Sequence, residues 1–198
     1  SEFLAVIRLW RAYRQMHEEL SQSQLRKWCE RNFLSYLRMR EWRELHRQLL
    51  ITARELQWPL PEWPDIEARL EAAAQDTKAA ARHYQQIHRA VLAGLPTQIG
   101  HKNDKGLYDG PRQRRFAIFP ASPLAGQLPN WCLVGNLLDT QKVWGLMAAR
   151  IEPDWVIEEC GHLLSRNYHD PHWSRRQGRV VGYCQITRLG LLLAAKKP

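Results

Sequence analysis

One stretch of the sequence combines the side-chain types that bind zinc in proteins. Cysteine, histidine and aspartate lie close together here, at Cys160, His162, His169, Asp170 and His172. Structural zinc sites use thiolate, imidazole and carboxylate ligands, and they usually supply them as closely spaced pairs at both ends. Only His169 and His172 form such a pair, so we expect no metal site and a solvated loop in which the neighbouring aromatic residues pack.

The remaining catalytic signatures are weak or missing. Glu158 and Glu159 are adjacent on a predicted helix, so their carboxylates point in different directions and favour a solvated face over an acid/base pair. The sequence contains neither G-x-x-x-x-G-K-[ST] nor G-x-G-x-x-G, the two common phosphate-binding loops, and no G-x-S-x-G. We therefore expect no catalytic residues, no nucleotide hydrolysis and no cofactor within these residues.

Basic residues are the stronger functional signal. The formal net charge is +9 and the pI is about 9.7, which favours a polyanionic partner. Residues 94–198 carry 14 Lys and Arg against 8 Asp and Glu, a net charge of +6, whereas residues 1–93 carry 15 against 12, a net charge of +3. The positions of interest in the second half are Lys102, Lys105, Arg112, Arg114, Arg115, Lys142 and Arg150. Such residues could line a groove for a single nucleic-acid strand, and the alternative is an ordinary solvated surface.

Nine tryptophans are many for a chain of 198 residues. Those at positions 10, 28, 42 and 155 fall on apolar helical faces, which favours core packing. Trp131 and Trp144 lie in predicted strands, where an exposed ring could stack on a base. We favour the core for both, because strand aromatics pack inward at least as often.

The spacing of apolar residues divides the chain into a helical first part and a second part of short strands, and these elements must position the residues named above. Apolar residues at helical spacing predict helices from Phe3 to His17, from Leu25 to about Asn32, from about Leu37 to Leu56 and over 81–92. Ser21 and Gln24 match a capping box at the start of the second helix. Three prolines between residues 59 and 64 break the helical pattern, and residues 65–80 could form a short helix after them. Gly94 predicts the end of the last of these helices.

After residue 97 the pattern changes to short strands separated by Gly and Pro. Strands are predicted over 98–100, 106–108, 115–120, 131–138, 142–151 and 178–193, the last with a possible hairpin at Gly190, and a helix over 154–164. Short strands at this spacing predict a small barrel or sandwich. The fold class is therefore α+β.

The sequence also limits where the protein works. It has no apolar run of 18 residues and no secretion signal, so we expect no membrane contact. Its four scattered cysteines contain no C-x-x-C pair and favour reduced thiols and a cytoplasmic location. The apolar pattern starts at Phe3 without a cap, and the sequence ends without a polar tail, so we expect a section of a longer protein.

Several motifs, in order, resemble the helicase-associated region of DEAH-box RNA helicases. Residues 28–36 (WCERNFLSY) resemble the element W-C-x-x-x-F/Y-L-x-Y, and 87–94 (IHRAVLAG) the helix end I-x-x-A-L-x-x-G. Residues 119–122 (FPAS) are similar to the strand end H-P-S-S. Residues 129–142 and 152–155 resemble the run P-x-W…T-S-K…P-x-W, and the tail around 171–178 resembles the bacterial HrpA type.

This resemblance implies an N-terminal helical bundle, ratchet-like in the family, then a small OB-fold-like β-barrel and a short α/β extension. The corresponding domains are 1–94, 95–157 and 158–198. It further implies that the bundle and barrel roof an RNA channel, and that upstream motor domains bind ATP and Mg²⁺. By the same resemblance, Thr140 and Lys142 lie in a turn that faces RNA, and Ser122 ends a strand nearby, so all three are predicted RNA-binding residues. Charge and position add Lys102, Arg114 and Arg115.

The resulting hypothesis is an accessory region that grips single-stranded RNA and contacts the motor domains of an ATP-dependent helicase within the same chain, as a monomer. The alternative is a protein-interaction module that docks a regulatory or ribosomal partner. A metal hydrolase built on the cluster around Cys160 is a third and weaker hypothesis. The steep salt dependence of phosphate binding separates the first hypothesis from the second.

Overall fold

The computed structural model describes residues 1–196 and confirms an α+β fold. The chain divides into two compact units, one of residues 5–83 and the other of residues 1–4 together with the chain from residue 84 onward. These units are defined by compactness alone. The domain limits 1–94, 95–157 and 158–198 therefore stay a prediction.

Five helices precede the first strand. They are α1 (Glu2–Glu19), α2 (Gln22–Arg31), α3 (Tyr36–Glu55), α4 (Trp63–Gln75) and α5 (Thr77–Gly94). The predicted capping box is present, since the backbone N–H of Gln24 donates to Ser21 Oγ at 3.5 Å and that of Ser21 donates to Gln24 Oε1 at 2.9 Å. Among the described residues, no helix is both long enough and apolar enough to cross a membrane.

The unit of residues 5–83 has its own small core. Tyr13, Leu25, Cys29 and Met39 are buried, and the indoles predicted to pack there surround them. Trp10 and Trp42 lie 4.8 Å apart between ring centroids. Helix α4 contacts α1 where the Arg14 guanidinium lies 4.0 Å from the centroid of Trp63, a cation–π contact.

The second unit contains a closed five-stranded barrel, in agreement with the OB-like barrel expected from the sequence. Its strands are β1 (Ile99–Lys102), β2 (Tyr108–Asp109), β3 (Arg115–Ile118), β4 (Trp131–Asp139) and β5 (Val143–Arg150). They pair in the order β1-β2-β3-β5-β4, and β4 closes back onto β1. All pairs are antiparallel except β3 with β5.

Bulky side chains and two glycines fill the barrel interior. The buried residues there are Tyr108, Phe116, Ile118, Cys132, Val134 and Ala148. Gly100 and Gly145 leave room for the Phe116 ring, because a Cβ on either would lie within 3.0 Å of it. Burial raises the pKa of the Cys132 thiol and of the Tyr108 hydroxyl, so both stay protonated at neutral pH.

A second core lies on the outer side of β1 and β4. Trp131, Leu133 and Ile151 pack there with residues of α6 (Pro153–Glu159) and of a C-terminal sheet. That sheet has the order β6-β7-β8, with β6 (Ser165–Ser174), β7 (Arg179–Arg188) and β8 (Leu191–Lys196). The hairpin predicted at Gly190 is present, and its φ of 85° suits a glycine.

The prediction of a loop around His169 and His172 was wrong, because these residues belong to strand β6. The strand gave no alternating pattern, since nine of its ten residues are exposed and only Ser174 is partly buried. A register shift between His169 and His172, at Pro171, further disguises it.

Candidate nucleic-acid interface

Four of the six predicted RNA-binding residues meet at one end of the barrel. Strands β3 and β5 are parallel neighbours that begin at Arg115 and Val143, and β4 ends beside them at Asp139. The β4–β5 turn, which holds Thr140 and Lys142, therefore lies at the same barrel end as Arg114 and Arg115. We call the cations of this end, Arg112, Arg114, Arg115 and Lys142, the basic rim.

Two of the rim arginines are held by carboxylates. Arg114 Nη2 lies 2.7 Å from Asp139 Oδ2, and Arg115 Nε lies 2.8 Å from Asp109 Oδ1. All four side chains are more than a third exposed, and exposed pairs of this kind contribute about 0–1 kcal/mol each. A phosphate could therefore replace either carboxylate as the partner of a guanidinium at little cost in free energy. Until then, the ion pairs hold both guanidiniums in position.

The other two rim cations have no ion-pair partner among the described residues. Lys142 ends a tight turn in which the Thr140 N–H and the Thr140 hydroxyl both donate to the Lys142 carbonyl, at 3.0 Å and 2.8 Å. The turn fixes the backbone and leaves the Lys142 side chain exposed. The Arg112 N–H donates to the Leu189 carbonyl at 2.9 Å, and its side chain is exposed too. With two carboxylates against four cations, the rim keeps a net charge of about +2.

A groove of about 510 Å³ opens beside the rim. Its lining residues are Thr97, Gln98, Ile99, Gly110, Pro111, Arg112, Arg114, Phe116, Leu137 and Leu189. Two of them are rim arginines, and the rest are apolar or uncharged. The Gln98 side-chain oxygen has no hydrogen-bond partner in the described part of the chain. The groove thus combines positive charge with uncharged surface, as sites for single strands do.

Aromatic side chains lie on the outer face of the same strands. Trp144 is opposite Ala117 of β3 and Leu138 of β4 in the strand register. Its ring meets that of Phe119 edge to face, with centroids 6.0 Å apart, and Phe119 is 39% exposed. Trp131, in contrast, is 9% exposed and belongs to the core. The core prediction thus holds for Trp131, whereas Trp144 is only half-buried and offers an edge for stacking.

The remaining two predicted residues lie elsewhere. Lys102 Nζ donates to the Leu128 carbonyl at 3.0 Å, in the loop between β3 and β4. Ser122 is 6% exposed, and its hydroxyl donates to Glu2 Oε2 at 2.7 Å. Glu2 Oε2 also accepts the Ala148 N–H, so Ser122 supports the start of α1 against the barrel. Neither Lys102 nor Ser122 lies on the basic rim.

Sequence reasoning placed Arg112 among the basic positions of interest but not among the six predicted RNA-binding residues, and it did not consider Phe119 as a binding residue. Arg112 could have been included because residues 110–115 read GPRQRR, with three arginines in six positions after a turn. Phe119 gave no signal of its own, since its exposure depends on how β3 ends against β5.

The zinc hypothesis lacks a ligand cluster in the structure. Among the described residues, no three His, Cys, Asp or Glu side chains gather where they could share an ion. The rings of His169 and His172 instead both pack near the ring of Tyr183, with centroid distances of 5.7 Å and 5.9 Å. Cys160 is 1% exposed, and burial raises the pKa of its thiol.

Comparisons with known proteins agree with this geometry. Residues 87–163 match the model of the oligonucleotide/oligosaccharide-binding (OB)-fold family. The chain is 37% identical to the ATP-dependent RNA helicase HrpA homolog of Haemophilus influenzae and 38% identical to the ATP-dependent RNA helicase HrpA of Escherichia coli. Both alignments cover 100% of this chain, which spans 14% of the length of each relative.

Among solved structures, the crystal structure of the E. coli DExH-box NTPase HrpB aligns with 57% of this chain and 14% of its own, at a TM-score of 0.41 and 15% identity. That likeness is too slight to support an argument. The motifs, the barrel topology and the alignments over the whole of this chain indicate the same family without that structure. Over its whole length the chain is therefore similar to one section of ATP-dependent RNA helicases of the HrpA type, and residues 87–163 match the OB-fold family.

Proposed function

We propose that this chain is an accessory nucleic-acid-binding region of an ATP-dependent RNA helicase, and that its basic rim grips single-stranded RNA. The observation that carries the proposal is the convergence of four cations on one barrel end, at the turn between β4 and β5. In OB-folds, this turn, the turn between β1 and β2, and the face of β2 and β3 are the usual oligonucleotide contacts.

The rim suits a phosphate chain better than a folded protein surface. Its cations are exposed and point from short, hydrogen-bonded turns, so they can pair with successive phosphates without a large ordering cost. Stacking on the Trp144 and Phe119 rings would add a contribution that is indifferent to base identity. The proposed contact is therefore strong at low salt and weakly sequence-selective.

The rest of the proposed activity belongs to other parts of a longer protein. This chain has neither phosphate-binding loop in its sequence, so ATP and Mg²⁺ would be bound by motor domains outside it. In the proposal, the helices of residues 5–83 act as a lever that transmits movement from those domains.

A pair of substitutions at opposite ends of one strand tests the rim. We expect Lys142→Gln, immediately before β5, to weaken binding of a labelled oligouridine about threefold or more at low salt. The slope of log K against log salt should fall by about 0.7, the value for one lost phosphate contact on a single strand. Fluorescence anisotropy between about 50 and 200 mM salt measures both quantities.

Arg150→Gln is the matched control, because it removes an exposed cation from the other end of the same strand, where Arg150 pairs with Glu152. The control should leave affinity and slope nearly unchanged. Equal losses in the two variants would mean that only the net charge matters, and the rim proposal would then fail.

A protein-docking function is the second candidate, and exposed leucines of α3 favour it. Leu37, Leu45 and Leu49 are 59%, 53% and 60% exposed. An apolar interface built on them would change little between about 50 and 200 mM salt, whereas RNA binding would weaken steeply.

A further inference from the structure

The β6–β7 hairpin, residues 165–188, has a composition unlike that of the surrounding chain. It contains five arginines, no lysine and a single carboxylate, Asp170. It also contains three large aromatic residues, Tyr168, Trp173 and Tyr183. Basic residues interleaved with aromatic ones are typical of surfaces that bind single-stranded nucleic acid.

The aromatic residues of β6 are unusually exposed for their size. Tyr168 is 74% exposed and Trp173 is 62% exposed, and Val180 beside Trp173 is 64% exposed. Leaving such large apolar surfaces in water is unfavourable by about 25 cal/mol per Å². Their exposure therefore indicates a surface that can be covered by a partner.

The strand register places these side chains on one face of the hairpin. Tyr168 is opposite Cys184, and Trp173 is opposite Val180. Residues directly opposite each other on paired strands point to the same face of the sheet. Residues 180 and 184 of β7 also point to the same face, because side chains alternate along a strand and these two positions differ by an even number. Tyr168 and Trp173 thus lie on the same face, about 13 Å apart along β7 at about 3.3 Å per residue. Two rings at this spacing can each stack on a base of one strand.

Positive charge surrounds this face without internal compensation. The turn after β6 carries Arg175 and Arg176, Arg179 begins β7, and Arg166 lies near the start of β6. In the described part of the chain, none of these four guanidiniums forms an ion pair. The fifth arginine of the hairpin, Arg188, is not part of this charged surface. It is 9% exposed, and its guanidinium donates to the Leu163 carbonyl at 3.1 Å.

A second protein strand is a poorer occupant than nucleic acid. Strand β6 is an edge of its sheet, but Pro171 lacks an N–H, Asp170 has a φ of 52°, and the register shifts between His169 and His172. Bulges and prolines of this kind prevent edge-to-edge pairing. The uncompensated arginines complement phosphates, so the charge argues for a polyanion.

We propose that the β6–β7 hairpin is a second contact site for single-stranded nucleic acid, separate from the basic rim. Tyr168 and Trp173 stack on bases, while Arg175 and Arg176 of the connecting turn pair with phosphates. This site does not depend on the rim being a binding site, because its residues and those of the rim are different sets on different sheets.

The test uses the 198-residue protein and a labelled oligouridine, and compares two hairpin variants with the rim variant Lys142→Gln. Tyr168→Ala with Trp173→Ala should weaken binding at least about tenfold, because each stacked base contributes on the order of tenfold. Arg175→Gln with Arg176→Gln should lower the salt slope by about 1.4, or about 0.7 per lost contact.

Trp58→Ala is the matched control, because Trp58 is also 62% exposed but lies in the other compact unit. It should change affinity less than twofold, and circular dichroism should show native folding for every variant. A second readout keeps the test independent of stability: a stacked base should quench part of the tryptophan fluorescence of the protein, and Trp173→Phe, which leaves the other eight tryptophans in place, should abolish that part of the quenching.

The outcomes separate the two proposals. Loss of affinity in the hairpin variants alone supports the hairpin and overturns the rim, and loss in both sets supports both sites. Loss in the rim variant alone, with unchanged affinity in the folded hairpin variants, overturns the hairpin proposal and leaves its exposed rings to a protein partner. Unchanged affinity in all variants overturns both.

Discussion

At the scale of single residues, the carboxylates of the rim are as informative as its cations. Asp109 and Asp139 hold Arg115 and Arg114 by exposed ion pairs. Such pairs add little stability, so their main effects are to orient the guanidiniums and to reduce the positive potential. The rim is therefore partly neutralised by its own carboxylates, and in the proposed complex RNA phosphates would compete with them for the guanidiniums.

Removing one of these carboxylates should strengthen binding. We expect Asp139→Asn to raise the affinity for oligouridine about twofold to fivefold at low salt, because Arg114 loses its competing partner and the net rim charge rises by one. Anisotropy titrations measure the change. Asp154→Asn, which removes an exposed carboxylate from the first turn of α6, is the control and should have little effect. Weaker binding by Asp139→Asn would show that the pair itself, and not the free guanidinium, is required.

At the scale of elements, the barrel depends on close packing between β5 and the side chains it faces. Gly145 is paired with Ile118 of β3 and Leu137 of β4 in the register. A Cβ at this position would lie 2.7 Å from Val134 Cγ1 and 3.0 Å from the Phe116 ring. The absence of a side chain at Gly145 thus sets how tightly the barrel closes, and with it the position of the rim.

A matched pair of glycine substitutions tests this packing. Gly145→Ala should lower the free energy of unfolding by about 1–3 kcal/mol, as overpacking of a core does, and should weaken RNA binding by displacing the start of β5. Urea denaturation measures the stability change. Gly126→Ala is the control, since no atom lies within 4 Å of its added Cβ. Equal stability of the two variants would contradict the packing described.

The same scale shows what the sequence could and could not predict. The helices, the Ser21 capping box and the positions of the barrel strands along the chain follow from local periodicity, capping and turn residues, which are properties of neighbours in sequence. Strand β6 was missed because its residues are exposed on both faces and have no apolar alternation. The ion pair of Arg114 with Asp139 joins positions 25 residues apart and depends on barrel closure, so no local pattern reveals it. The burial of Ser122 escaped prediction for the same reason.

At the scale of the whole molecule, charge and fold point to the same half of the chain. Both proposed contact sites lie in residues 94–198, whose net charge is +6. That excess arises in residues 164–198, which include the β6–β7 hairpin, whereas residues 94–163, most of the part that matches the OB-fold model, carry seven cations and seven carboxylates. The positive charge of the rim is therefore a local concentration within a neutral barrel. The chain spans 14% of the length of its HrpA relatives, and the role proposed for it is that of a contact region. Binding by such a region should be salt-sensitive and largely indifferent to sequence.

The most direct test of the central claim maps RNA contacts on the protein without substitutions. Backbone amide shifts of the ¹⁵N-labelled protein, recorded during titration with oligouridine, report which segments the strand touches. The account predicts the largest changes at residues 112–115 and 140–142, with a second set at 168–179. Shifts confined to the helices of residues 5–83, or absent from the rim at saturating RNA, would contradict it.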